Sequence, residues 1–190
     1  MSAFWEDPTW ILLWPKEVTL EFLIEQCTKR YPNILQRARQ EVRHQKATDL
    51  LTGDLVGYAR WILPPTHFTA KGGSSQWWVL KFRITDMRSI DDINDAVMDR
   101  ILVQRPYIKL DYLAVHPRNK GKGIATALVA SGIRAAKSIN VPIVTMSYKA
   151  GRGVYTRLGF EEVDRVIQDD SQYGGAGEYG AYFMIYDTNN

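Results

Sequence analysis

One segment of the sequence joins an apolar strand to a helix through a basic loop that contains two glycines. Residues 108–115 are mostly apolar and predict a strand, and residues 124–139 predict a helix. The loop between them reads His116-Pro117-Arg118-Asn119-Lys120-Gly121-Lys122-Gly123, so it carries three cations within five residues and no acid. The first turn of the helix decides which ligand this strand–loop–helix unit can bind.

The start of this helix has the physical properties of an anion site. The first backbone N–H groups of a helix have no partner within the helix and lie at the positive end of its dipole. Gly121 and Gly123 lack a Cβ atom, so a ligand oxygen can approach the backbone closely. The segment therefore indicates a site for a phosphate or pyrophosphate. A surface turn with solvated lysines is the alternative that composition leaves open.

Two familiar nucleotide-binding motifs do not fit this loop. A P-loop requires G-x-x-x-x-G-K-[ST], which Gly121-Lys122-Gly123-Ile124 does not supply. A dinucleotide fold requires G-x-G-x-x-G with an acid about 20 residues later. Here Thr126 takes the place of the third glycine, and Asn140 stands where the acid is expected.

The rest of the sequence predicts a series of short helices and strands. Thr19 is a candidate N-cap for a helix over Leu20–Arg30, and Pro32 is expected to end it and to open a second short helix. A further helix is predicted after Ser89, with Ile90, Ile93, Val97 and Ile101 on one face. The expected strands are 42–50 and 55–63, which form a hairpin around Gly53, and then 141–146, 163–168 and 179–186; residues 151–158 are expected to form a short helix.

Composition excludes several classes of protein. The 190 residues correspond to one domain. Lys and Arg exceed Asp and Glu by 24 to 21, an excess too small to favour nucleic-acid binding. Cys27 stands alone, so no internal disulfide can form. No metal site is expected, because the three histidines lack ligand spacing and the acids of 91–99 are interpreted as a solvated helix face.

The N-terminus shows neither a secretory signal nor a membrane span. Its longest apolar run, Trp10–Trp14, is far shorter than the roughly 20 residues that a span needs. We expect a soluble intracellular protein, cytoplasmic, with a nuclear location left open.

The basic loop and a later segment together resemble the Gcn5-related N-acetyltransferases (GNAT). Leu110 to Ala125 resembles the acetyl-CoA motif, in which an apolar strand and V-x-P lead into [Q/R]-x-x-G-x-[G/A]. Lys120 takes the Gln/Arg position, Gly123 the glycine and Ala125 the final small residue. Residues 147–163, which include Tyr155 and Gly159-Phe160, resemble the family's later Y-x-x-x-G-F motif. The resemblance covers roughly residues 42–187. The overall character of the sequence suggests a fungal subgroup of the family.

The resemblance implies an α/β (α+β) fold with a mixed, mostly antiparallel sheet flanked by helices. The sheet is expected to splay between the family's fourth and fifth strands. The family's first strand has no counterpart here, either because it is missing or because the sequence is truncated. We expect a single domain over 1–190, with a helical part at 1–41, an insertion at 64–106 and an acetyl-CoA-binding core at 107–160.

The implied activity is transfer of an acetyl group from acetyl-CoA to a primary amine of a small molecule or peptide by direct attack. A catalytically silent acetyl-CoA sensor or interaction module is the alternative. No metal is implied. The expected coenzyme-binding residues lie on the strand, in the basic loop and in the later motif: Leu113, Ala114, Val115, Arg118, Lys120, Gly121, Lys122, Gly123, Ile124, Ala125, Ser147 and Gly151.

The resemblance also implies catalytic roles. Tyr155 matches the tyrosine that protonates the leaving thiolate, with a packing role as the alternative. Asp111 is the first candidate for the general base, although its carboxylate could equally belong to a buried ion pair. Glu178, Asp86 and a water chain are further candidates for the base.

The acceptor and the oligomeric state are less well defined by the sequence. Several aromatic residues could line an acceptor pocket or fill the core: Trp61, Trp77, Trp78, Tyr107 and Tyr112. The strand edge left open by the missing first strand favours a homodimer.

Overall fold

The structure, a computed structural model, describes residues 1–37, 40–67 and 88–189. It is built on a six-stranded sheet in the order β1-β2-β3-β4-β6-β5. The strands are β1 (Val42–Thr48), β2 (Leu55–Ile62), β3 (Ile108–Val115), β4 (Ile143–Tyr148), β5 (Glu161–Asp169) and β6 (Glu178–Tyr186). The helices are α1 (Ser2–Trp5), α2 (Leu20–Arg37), α3 (Arg88–Leu102), α4 (Ile124–Ile139) and α5 (Lys149–Arg157).

All neighbouring strands are antiparallel except β3 and β4, which are parallel. These two strands pair only over Ile108–Leu110 and Ile143–Thr145, and they separate beyond that point. The fold class and the splayed sheet expected from the sequence are therefore confirmed. No described strand pairs with the outer edge of β1, which agrees with the expected lack of a first family strand. The homodimer stays a prediction.

A β-bulge interrupts β3 at Asp111. Arg60 of β2 pairs with Tyr112 and Trp61 pairs with Leu110, so Asp111 has no partner residue in the register. An extra residue reverses which side chains face each side of the sheet. Leu110 before the bulge and Leu113 after it both pack in the core cluster that includes Leu128 of α4. Tyr112 and Ala114 consequently face the opposite side.

Helix α4 packs very closely against β2 because glycines remove side chains from the interface. A Cβ atom on Gly132 would lie 2.1 Å from the Trp61 ring, and one on Gly57 would lie 2.6 Å from Ile124. Helix α2 covers the other face of β1–β3, where the ring centroid of Tyr31 lies 6.3 Å from that of Tyr58. Further along that face, Met98 and Ile101 of α3 pack on Val144 and Phe183.

Two helix predictions are corrected. Helix α2 runs through Pro32 instead of ending there. A proline removes one backbone donor, and Tyr31 and Leu35, on either side of it, both line a cavity between α2 and the sheet. Among the described side chains of α3, Ile101 is buried and Val97 packs on the core as predicted, whereas Ile93 is exposed and Asn94 and Met98 are buried in its place; the side chain of Ile90 lies outside the described part.

Several strand ends are also corrected. Strand β4 begins at Ile143 and not at Val141, and β5 extends over Glu161–Asp169. Within the predicted insertion 64–106, a short turn at Pro65–His67 and α3 are described. Trp77, Trp78 and Asp86 lie outside the described residues.

A buried carboxyl group links the N-terminal segment to the loop between β5 and β6. Asp170 is 1% exposed, and its Oδ2 accepts a hydrogen bond from Thr9 Oγ1 at 2.7 Å. Its Oδ1 accepts a hydrogen bond from the Gly177 N–H at 2.8 Å. Asp170 therefore satisfies two donors that are distant from each other in the sequence.

We expect Asp170→Ala to lower the free energy of unfolding by about 1–3 kcal/mol, because both donors lose their buried acceptor. Urea unfolding measures the change. The neighbouring carboxylate of Asp169 is exposed and bonds only locally, to Ser171, so Asp169→Ala is the matched control and should cost less. Equal losses in the two variants would contradict the structural role of Asp170.

Candidate active site

The gap between β3 and β4 forms a cavity of about 380 Å³. It opens because β4 leaves β3 after the Leu110–Thr145 pair. Strand residues 110–115 form one wall, residues 145–148 form the other, and α5 closes the end with Gly151, Val154 and Tyr155. Lys120 and Ala125 connect the cavity to the basic loop and to α4.

Tyr155 is the titratable side chain that α5 places at the closed end of this gap. The residue is 4% exposed, and its ring packs against Phe160 with centroids 5.4 Å apart. Burial raises the pKa of Tyr155 to about 12, although a side-chain hydrogen bond with Thr145 acts in the opposite direction. The phenol is therefore protonated at neutral pH.

Ser147 and Gly151 lie directly beside Tyr155. A Cβ atom on Gly151 would lie 2.9 Å from the Ser147 hydroxyl oxygen and 3.6 Å from the Tyr155 ring. Ser147, Gly151 and Tyr155, which belong to the later sequence motif, thus lie together at one end of the gap. The absence of a side chain at Gly151 keeps this end open.

The basic loop has the backbone that its glycines predicted. Gly121 and Gly123 adopt φ values of +77° and +76°, a left-handed conformation that favours glycine. A Cβ atom at either position would meet nothing within 4 Å. Both glycines therefore border open space next to the first turn of α4, where Ile124 and Ala125 present unpaired backbone N–H groups.

The cations of the loop have different surroundings. Lys120 forms an ion pair with Glu6 at 2.5 Å, and Lys122 Nζ donates to Asn119 Oδ1 at 2.7 Å. Both contacts are on the surface. The backbone N–H of Arg118 donates to His116 Nδ1 at 3.3 Å.

The strand residues expected to bind the coenzyme border the gap. Leu113, Ala114 and Val115 pair with Ala59, Tyr58 and Gly57 of β2 along one edge only. Along their other edge, β4 has already diverged. A strand edge of this kind presents backbone donors and acceptors to whatever enters the gap.

Asp111 borders the gap at the bulge, but it is engaged by two cations. Its Oδ2 accepts a hydrogen bond from Arg60 Nε at 2.7 Å and contacts a terminal nitrogen of the same guanidinium. Its Oδ1 lies 3.4 Å from Lys109 Nζ. The ion-pair alternative for Asp111 is therefore present in the structure, and its role as a base stays a prediction. Glu178 is exposed at the start of β6 and does not line the gap.

The N-terminal segment, residues 1–14, also borders the gap, which sequence reasoning missed. Phe4 packs on Tyr112 with ring centroids 4.9 Å apart, and Ala3, Asp7 and Trp10 line the cavity beside it. The high density of aromatic residues before position 15 was the available signal. Of the other aromatic candidates, Trp61 and Tyr107 are buried in the core clusters, whereas Tyr112 lines the gap.

The part of the chain that the structure describes holds neither a cluster of metal ligands nor a candidate membrane-spanning helix. It contains no group of three or more His, Cys, Asp or Glu side chains that could hold a metal ion. No helix in these ranges is both long and apolar enough to cross a bilayer.

Solved structures of acetyltransferases share this architecture. Arylalkylamine N-acetyltransferase 2 from Aedes aegypti matches with a TM-score of 0.63 at 14% identity, over 100% of this chain and 90% of that one. A structure described as histone acetyltransferase HPA2 and related acetyltransferase, from Corynebacterium glutamicum, matches with a TM-score of 0.56 at 20% identity, over 95% and 84%. Arabidopsis thaliana NAA60 in complex with a bisubstrate analogue gives 0.50 at 15%, over 88% and 91%. At these identities the likeness establishes the fold.

The open, mostly antiparallel six-stranded sheet with its splayed centre thus defines the class as a GNAT fold. Residues 73–162, just under half of the chain, match the family model for the acetyltransferase (GNAT) domain. This partial match and the fold together support an N-acetyltransferase. No curated protein matches the chain.

Proposed function

We propose that the protein transfers an acetyl group from acetyl-CoA to a primary amine of a small molecule or peptide by direct attack. The observation that carries this proposal is the splayed gap, which has a protonated tyrosine at one end and, at the other, a helix start with two left-handed glycines that border open space. GNAT acetyltransferases use acetyl-CoA, which supplies an activated thioester. A cytoplasmic location and a fungal subgroup are part of the proposal.

The residues bordering the gap fit this coenzyme. The open space at Gly121 and Gly123 admits phosphate oxygens to the N–H groups that begin α4. Lys120, whose ammonium is ion-paired with Glu6, borders the gap, and Arg118 and Lys122 lie in the same loop. The free strand edge over Leu113, Ala114 and Val115 can pair with an extended amide-containing arm. Ser147 and Gly151 line the far end, beside Tyr155.

Tyr155 is proposed as the acid that protonates the departing thiolate. In the net reaction a C–N bond forms, the C–S bond breaks and the sulfur takes the phenol proton. The attacking nitrogen loses one proton to the base or to water, and a proton from water restores the phenol. Burial raises the pKa of Tyr155 to about 12, so the phenol is protonated at neutral pH. A thiol has a pKa of roughly 8.5, so burial also makes this phenol a weaker acid toward the thiolate than a free tyrosine would be.

The attacking nitrogen must be uncharged, and Asp111 is the proposed base. Its carboxylate forms ion pairs with Arg60 and Lys109 beside the gap. A water chain through the gap is the alternative route. One similar structure, from Aedes aegypti, is named an arylalkylamine N-acetyltransferase, which is consistent with an amine acceptor. The similar structure of Arabidopsis thaliana NAA60 holds a bisubstrate analogue.

Two measurements test the proposal. Calorimetry with CoA should show saturable binding, and release of free thiol from acetyl-CoA should depend on an added amine. We suggest a screen over small amines, amino acids, polyamines and peptide N-termini. Binding of CoA without thiol release from any amine would favour the sensor alternative, and absence of CoA binding would contradict the proposal altogether.

A further inference from the structure

A second and larger cavity lies between α2 and the sheet. Its volume is about 590 Å³, and we call it the α2 cavity. Tyr31 and Leu35 of α2 form its outer wall, and His44, Lys46 and Tyr58 line it from β1 and β2. The proposed coenzyme and catalytic roles place no ligand in the α2 cavity.

The α2 cavity and the gap share part of their walls. Ala3, Tyr112 and Ala114 line both of them. Because of the bulge at Asp111, Tyr112 and Ala114 face away from α4, toward the α2 side of the sheet. The basic loop and the first turn of α4 lie at the opposite side. A group that enters the gap from α4 and a molecule in the α2 cavity therefore approach the same stretch of β3 from opposite faces.

The lining of the α2 cavity is mainly apolar and aromatic. Three tyrosines contribute to it, and the ring centroid of Tyr58 lies 6.3 Å from that of Tyr31 and 6.5 Å from that of Tyr112. The Tyr58 hydroxyl lies 2.7 Å from His44 Nδ1. Flat rings around an apolar space favour a ligand with an aromatic or aliphatic body.

The charges around the α2 cavity select against polycations. No carboxylate stands among the described residues that line it. Lys46 contributes a positive charge, and the Arg60 guanidinium lies 5.2 Å from the centre of the Tyr112 ring, where it is paired with Asp111. Burial and the nearby Arg60 lower the pKa of His44, so this side chain is neutral at neutral pH. A ligand with several ammonium groups would find no anion to pair with.

We propose that the α2 cavity is the acceptor site and that it takes a primary amine whose remaining body is apolar and uncharged. This inference rests on the proposed acetyl transfer. The apolar body packs among the tyrosines, and the amine points past Ala114 and Tyr112 into the gap. Apolar surroundings with cations nearby disfavour the ammonium form, so the amine is held there as the free base that the reaction needs.

The test uses 2-phenylethylamine as the apolar monoamine, spermidine as the polycation, and two tryptophan variants of α2. Leu35 is 40% exposed and lines the α2 cavity, so Leu35→Trp places an indole in it. Ile24 is 43% exposed and lies about three turns earlier on the same helix; it lines a smaller adjoining pocket but not the α2 cavity, so Ile24→Trp is the matched control. Both sites are partly solvent-exposed, and circular dichroism confirms folding.

We expect wild-type kcat/KM to be higher for 2-phenylethylamine than for spermidine. Leu35→Trp should raise the KM for 2-phenylethylamine by about tenfold or more, the effect of displacing roughly two buried methylene groups. The KM for acetyl-CoA should not change, and Ile24→Trp should alter neither constant. Equal effects of the two variants, or a preference for spermidine, would overturn the proposal.

Saturation-transfer NMR with 2-phenylethylamine in the absence of coenzyme separates this inference from the proposed function. We expect the wild-type protein and Ile24→Trp to bind the amine and Leu35→Trp to lose most of the signal. If CoA does not bind, the proposed function fails, and the NMR result alone then decides whether the α2 cavity binds the amine. If CoA binds and thiol is released while all three proteins give the same NMR signal, the acceptor lies elsewhere.

Discussion

Replacing Tyr155 with phenylalanine should lower turnover by about 10²- to 10⁴-fold, the usual contribution of a general acid. The affinity for acetyl-CoA should remain within a few-fold, because the substitution removes one hydroxyl group and little volume. The phenol holds its proton at every pH well below its pKa of about 12. The wild-type rate should therefore show no basic limb from this group near neutral pH. Steady-state rates and calorimetry measure both quantities once an acceptor is known.

Tyr186→Phe is the matched control for this substitution. Tyr186 is buried in the same core cluster and packs on the same Phe160, with ring centroids 5.4 Å apart, but it does not line the gap. If Tyr155 were only a packing residue, both variants would lose about 1 kcal/mol of stability or less and keep their rates. Near-normal turnover in a folded Tyr155→Phe protein would remove this residue from the mechanism. A water molecule or the thiolate itself would then handle the proton.

Gly123→Leu should weaken CoA binding by more than about tenfold, or about 1.4 kcal/mol. The leucine side chain would occupy the open space through which a phosphate reaches the first N–H groups of α4. The substitution also carries a backbone penalty, because Gly123 has a φ of +76°. Left-handed backbone costs a residue with a side chain roughly 1–2 kcal/mol, so a fall in affinity has to be separated from a loss of stability.

Gly53→Leu makes that separation possible. Gly53 has a φ of +74°, and a Cβ atom there would also meet nothing within 4 Å, but it lies in the turn between β1 and β2. Both variants should show similar losses of stability on thermal unfolding, and only Gly123→Leu should lose CoA affinity. Normal CoA binding by a folded Gly123→Leu protein would show that the anion site is assigned to the wrong place.

The elements that sequence patterns located well are those governed by local chemistry. The strand 108–115 and the helix 124–139 have the predicted bounds. Left-handed backbone at Gly121 and Gly123 is a conformation that glycine adopts readily and other residues rarely adopt. Tyr155 could be placed near Ser147 and Gly151 because all three lie within nine positions of each other.

The elements that were misjudged depend on partners elsewhere in the chain. Pro32 predicts a helix end, yet α2 continues through it, and Tyr31 and Leu35 on either side line the cavity between α2 and the sheet. In α3, the predicted stripe included Ile93, whereas the buried face contains Asn94 and Met98. Helical periodicity shows that one face is apolar, but the neighbouring layer decides the rotation of that face.

By itself, the sequence determined the glycine-containing start of α4 and the order of the elements, whereas the roles of Tyr155 as acid and Asp111 as base stay predictions. These properties follow from backbone preferences and side-chain chemistry within a few positions. Only the tertiary structure decided that Asp111 pairs with Arg60, 51 positions away, and that residues 1–14 border the gap. It also decided that the bulge turns Tyr112 and Ala114 toward the α2 cavity. The physical reason is that strand register and layer packing are set by burial summed over the whole core, which no local window of sequence contains.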